Sequence, residues 1–297
     1  MRRLLGTAAR VALAAAAYLI CFVVAYGLLM RGTPPDPTAA ESPLSPGLAM
    51  LLAALLNTGV MAWLILRSRL AGRRLVVVMT LVFFGVQTFM AQVESWIFQF
   101  SPGFAAHLPA AMIPRILLAG LLHACLWVPL AVWILGRWTS APASESGTRK
   151  PLLARRGRLA FAAAAYVVLY FVFGYYVAWR SPAIREYYQG SDPGTLWLQL
   201  RSVLRDTPWL PLAQVLRGVA WTLIGVTVSR SMRGSRTEKA LALGTLFAVV
   251  MNSGLLLPNP YMPYDVRMVH LVETASSNFL FGLIVAGLFG GSPPFRP

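Results

Sequence analysis

Arg10-Val-Ala-Leu-Ala-Ala-Ala-Ala-Tyr18 opens an apolar run that continues without a charge to Met30, and it recurs in the middle of the chain as Arg158-Leu-Ala-Phe-Ala-Ala-Ala-Ala-Tyr166. About 20 apolar residues in an α-helix cover the ~30 Å hydrocarbon core of a bilayer. The run is longer than the roughly 7 to 15 apolar residues of a secretory signal. Its second copy lies where no signal could be, so the first segment reads as a retained transmembrane helix.

Working outward, seven more stretches have the same character. The full set is predicted at 11–30, 47–66, 75–98, 113–135, 159–179, 209–229, 240–257 and 266–289. The fold class that follows is an all-α polytopic transmembrane helix bundle of about eight spans. Composition agrees: 57% of the 297 residues are hydrophobic and 12% charged, with mean hydropathy +0.63, against roughly 25% charged in an ordinary soluble domain. Cys21 and Cys125 both fall within spans, so no disulfide framework is expected.

A formal charge of +16 would suggest nucleic acid in a soluble chain. Here it sorts by loop. With the N-terminus inside, 18 basic residues fall on cytoplasmic segments and five on outer loops, as the bias of cytoplasmic loops toward Lys and Arg requires. Both termini are therefore expected in the cytoplasm, with the protein in the cell (inner) membrane. Membrane lipids are its expected partners, a small molecule or lipid headgroup its substrate, and nucleic acid is excluded.

The polar stretch 137–157 reads as a flexible cytoplasmic linker between four-span halves at 1–136 and 158–297. Weaker matches accompany the opening one: Leu52-Ala-Ala-Leu-Leu-Asn57 beside Leu212-Ala-Gln-Val-Leu-Arg217, and Thr80, Leu81 and Gln87 beside Thr245, Leu246 and Asn252. Four spans per half give parallel repeats of a kind used by transporters; shared membrane composition is the alternative source of the matches. The outer segment 194–206 sorts its apolar positions at helical spacing and reads as an interfacial helix.

Ionisable side chains within spans are costly and usually face protein or water. Glu94, Arg115 and Arg267 lie near helix ends and are expected to snorkel outward. Arg217 lies about 12 Å from the start of its span and Glu273 about 10 Å, at 1.5 Å per residue. Matching depth predicts that they face each other. Asn57, Gln87, His123, Gln214, Asn252, Ser276, Ser277 and Asn278 lie near the same level, and the eighth span carries Arg267, His270, Glu273, Thr274 and Ser277 as one stripe. The expected site is an outward polar cavity between the third, fourth, sixth and eighth spans. Its candidate binding or coupling residues are Arg217, Glu273, His270, His123, Glu94, Gln87, Asn252, Ser277 and Asn278.

No Walker A sequence, dinucleotide fingerprint, Cys-x-x-Cys or His-Glu-x-x-His occurs, and the paired Glu-Glu followed by Arg of intramembrane CAAX-type proteases is missing. No cofactor and no metal are expected. His270 and Ser277 are ~10 Å apart along one helix, too far for a nucleophile and its base. Three readings remain: a transporter or flippase binding a headgroup at Arg217, an intramembrane enzyme using Glu273 or Glu94 as acid or base, and a structural subunit.

Overall fold

A computed structural model describes residues 2–33, 42–139 and 156–290. Pro34, Pro35 and Pro37, most of the 137–157 linker, and the basic residues Arg149, Lys150, Arg155 and Arg296 lie outside the described residues.

Among the described residues the chain forms eleven helices. They are α1 (Arg2–Leu29), α2 (Pro46–Leu66), α3 (Gly72–Phe98), α4 (Pro102–His107), α5 (Met112–Ile134), α6 (Arg156–Ala178), α7 (Pro182–Tyr187), α8 (Leu196–Asp206), α9 (Leu210–Ser231), α10 (Arg236–Leu256) and α11 (Tyr264–Phe289). All but α4, α7 and α8 are long and apolar enough to cross a membrane. The burial pattern points the same way. Ile20, Leu81 and Leu216 are each more than 60% exposed around the bundle, while Asn57, His123, Gln214 and Arg217 are buried within it. The protein is a multi-pass membrane protein.

Local chemistry sets the helix starts. Pro46, Pro102 and Pro182 occupy first turns, where a missing N–H costs nothing. Ser45, Thr195 and Ser235 accept from the backbone N–H groups of Leu48, Leu198 and Glu238. Three spans carry a π-helical turn, at Gly85–Phe89 in α3, Gly174–Ala178 in α6 and Leu246–Val250 in α10. Such turns rotate the side chains that follow them and recur at functional sites.

The two halves use the same neighbours. α1 packs on α2 and α5, and α3 on α5; correspondingly α6 packs on α9 and α11, and α10 on α11. Across the seam, α2 meets α10 and α9 meets α3. The matched residues make matched contacts. Tyr18 meets Trp127 edge-on at 5.0 Å, and Tyr166 meets Phe281 edge-on at 5.1 Å. Arg10 lies against Gly136 just past α5, and Arg158 donates to the Leu288 carbonyl near the end of α11.

The basic end of the bundle is closed at the seam. Ser68 and Met232 form an isolated antiparallel bridge between the α2–α3 and α9–α10 turns. Arg69 N–H donates to the Ser231 carbonyl at 2.6 Å, and Arg233 N–H to the Arg67 carbonyl at 2.7 Å. Arg67 grips Glu238 through two bonds of 2.6 and 2.7 Å, which raise the affinity of its guanidinium for its proton.

Close approach within the second half depends on glycine. A Cβ on Gly282 of α11 would stand 2.6 Å from the Gly244 backbone of α10, whereas one on Gly59 would meet nothing within 4 Å. Gly282→Val should therefore lower the stability of the purified protein by about 1 to 3 kcal/mol. Gly59→Ala should cause no loss, because a glycine within a helix is already at a disadvantage to alanine. Thermal unfolding of the two variants checks the pair.

Candidate functional site

At the opposite end from the bridge, a cavity of about 710 Å³ opens between α3, α6, α10 and α11, with α7 and α8 across its mouth. The third and eighth spans take their expected places. The fourth contributes only Ile116 and the sixth only Leu210 at the rim, so the expected walls are corrected to the third, fifth, seventh and eighth spans. Depth along a helix was readable from sequence. The direction each side chain faces was not.

Arg217 on α9 is 3% exposed. Its Nη2 donates to Glu94 Oε2 on α3 at 2.9 Å, its Nη1 to Gln214 Oε1 at 2.9 Å, and the guanidinium stands 5.7 Å from the Tyr166 ring. The partner expected for Arg217 was Glu273, and the structure corrects this to Glu94. A buried guanidinium takes the carboxylate that can reach it, and α3 lies directly against α9. For the same reason Glu94 does not snorkel; it turns inward. Arg267 does not snorkel either. It is fully buried and donates to the carbonyls of Met262, Leu255 and Leu257, where the chain leaves α10 and backbone acceptors lack helical partners. Arg115 is exposed, as expected.

Glu273 instead meets a residue of its own helix. His270 Nδ1 lies 2.8 Å from Glu273 Oε2, and His270 Nε2 lies 3.3 Å from the hydroxyl of Tyr188, the residue that caps α7. Burial, together with the neighbouring Tyr187, Glu94 and Glu273, pushes the Tyr188 hydroxyl well above the usual tyrosine range. An ionised Glu273 can only accept, so beside it a neutral His270 ring carries its proton on Nδ1 and takes the Tyr188 O–H at Nε2.

Beside this unit Thr274 donates its hydroxyl to Asn252 Oδ1, while Asn252 Nδ2 donates to the Ala248 carbonyl at 2.8 Å. Ser277 donates to the Thr274 carbonyl and Asn278 to the Met251 sulfur, and both line a small recess behind the cavity together with Glu94, Arg217 and Glu273. Seven of the nine candidates thus gather at one place. Gln87 and His123 do not. Gln87 donates to the Tyr18 hydroxyl at 2.7 Å, which also accepts from Asn57 at 2.8 Å, and Asn57 reaches Ser253 across the seam. His123 is fully buried in the same region, boxed by Tyr18, Phe22, Phe83 and Trp127.

Residues missed in the sequence include Tyr188 and Gln199 of α8. Tyr166 was visible only as the end of a repeated motif. Among the described residues no three His, Cys, Asp or Glu side chains are placed to hold a metal ion. No family model, curated protein or solved structure matches the chain.

The tautomer is directly checkable. Nitrogen NMR of ¹⁵N-histidine-labelled protein, with His107 and His123 replaced, should show His270 protonated on Nδ1 when the ring is neutral. A neutral ring protonated on Nε2 would contradict the Tyr188–His270–Glu273 arrangement.

Proposed function

We propose that the protein is a transporter whose cavity faces outward across the cell membrane and receives a small amphiphile, which passes between two four-helix halves descended from a duplicated unit. The carrying observation is the cavity itself. It reaches from its mouth to charged side chains at the α3–α9 seam, while the other end of that seam is shut by the Ser68–Met232 bridge and its neighbours. A site open at one end and closed at the other by turns equivalent in the two halves is one state of a rocking pair. The excess of basic residues at the closed end supports a cytoplasmic position for it.

A second reading, an intramembrane enzyme, is favoured by the one-sided distribution of charge. The cell around Tyr18 holds neutral amides and a histidine, whereas the one around Tyr166 holds Glu94, Arg217 and Glu273.

The two readings differ in whether the closed end opens. In a background lacking Cys21 and Cys125, spin labels at Arg69→Cys and Arg233→Cys report the separation of the bridged turns. A transporter gives two distance populations several ångströms apart, with proportions changed by Glu273→Gln. One narrow population, indifferent to that substitution, would sink transport and leave the enzyme.

A further inference from the structure

We infer that the cavity binds a hydrophobic amine as its cation, taken up in exchange for a proton held on the His270–Glu273 unit. This names the ligand class for the cavity described above and rests on that reading.

The fully charged side chains offered to the cavity are carboxylates. Glu94 and Glu273 line it, and among the described residues no lysine or arginine does. Arg217 stands behind Glu94 with its two Nη groups engaged by Gln214, Glu94 and the Met90 carbonyl, so an anionic headgroup entering from the mouth meets carboxylates first. Two more acceptors point the same way. Gln92 Oε1 and Gln199 Oε1 are buried without a hydrogen-bond partner among the described residues, and Gln199, on α8, is itself nine-tenths buried at the cavity wall. Buried acceptors are costly to leave unmatched, and an ammonium group supplies N–H donors. Tyr170, Phe171, Trp179 and Tyr188 provide aromatic walls for a cation carrying an apolar body. The volume lies within the range of small-molecule sites.

Charge counting gives the exchange. Arg217 balances Glu94. Glu273 has only His270, whose neutral form leaves the floor with one uncompensated negative charge. One ammonium cancels that charge, and so does one proton on the His270–Glu273 unit. Each bound cation therefore displaces one proton, and no other reactant is needed. The groups facing His270 are consistent with this count: Glu273 from its own helix, Glu94 from α3, Tyr188 from the end of α7, Tyr170 from α6, Arg217 from α9 through Glu94, and the neutral Asn252 from α10.

The test uses the full chain in lipid nanodiscs and three matched probes: 4-phenylbutylamine, 4-phenylbutan-1-ol and 4-phenylbutyrate. Binding is followed by calorimetry and by the fluorescence of Trp179 and Trp209 at the cavity wall. The amine should bind at pH 8 at least about tenfold more tightly than the alcohol or the acid. Its affinity should fall by about tenfold per pH unit once the site takes up the proton, with about one proton released per amine bound. Glu273→Gln should abolish both the preference for the amine and its pH dependence. Glu273→Asp, which keeps the carboxylate, should retain them. Tighter binding of the acid or the alcohol would overturn the cation inference and leave the cavity reading standing. An amine affinity indifferent to Glu273→Gln would also overturn it. Failure of all three probes to bind would remove the cavity reading with it.

Discussion

The buried bond between Arg217 and Glu94 is the constraint on which the rest of the site depends. A guanidinium 3% exposed inside a membrane bundle survives only if its charge is met. Glu94 meets it from the other half of the molecule. One contact thus joins α9 to α3 across the seam, draws a carboxylate away from the lipid interface, and neutralises one of the two acids at the cavity floor. The other acid, Glu273, is left with a histidine whose charge depends on pH.

Comparing the halves makes the division of labour visible. At corresponding places, Asn57 reaches Ser253 on α10 and Arg217 reaches Glu94 on α3. Both pairs cross the seam, and both lie beside the tyrosine that ends the repeated motif, Tyr18 or Tyr166. The first cell is filled by aromatic rings around His123 and holds neutral amides. The second is charged and borders open space. The same frame therefore holds packed aromatic rings in one half and charged side chains beside open space in the other. The three π-helical turns fall on α3, α6 and α10, three of the four helices that wall the cavity.

The spans were legible in the sequence because the requirement for apolar length is strong and one-dimensional. Proximity was legible in part: Arg217, Glu273 and Asn278 line one recess. Rotation about each helix axis was not. It depends on which neighbour packs where, and an aligned depth made Glu273 look like the partner that Glu94 turned out to be. His123 and Gln87 have the right depth and the wrong direction, and they fall in the first cell. Tyr188 was hidden differently. It caps a short helix between spans whose position is fixed by tertiary packing, with Phe104 stacked on its ring.

The Arg217–Glu94 bond can be tested by a double-mutant cycle on unfolding in detergent, using Glu94→Gln, Arg217→Gln and the two together. Each single change should cost about 3 to 5 kcal/mol by leaving a charge or its partners unmatched. The double variant should be more stable than the sum of the singles predicts by at least about 1 kcal/mol. Strict additivity would contradict the account, because the two side chains would then be independent and the seam would be held by something else.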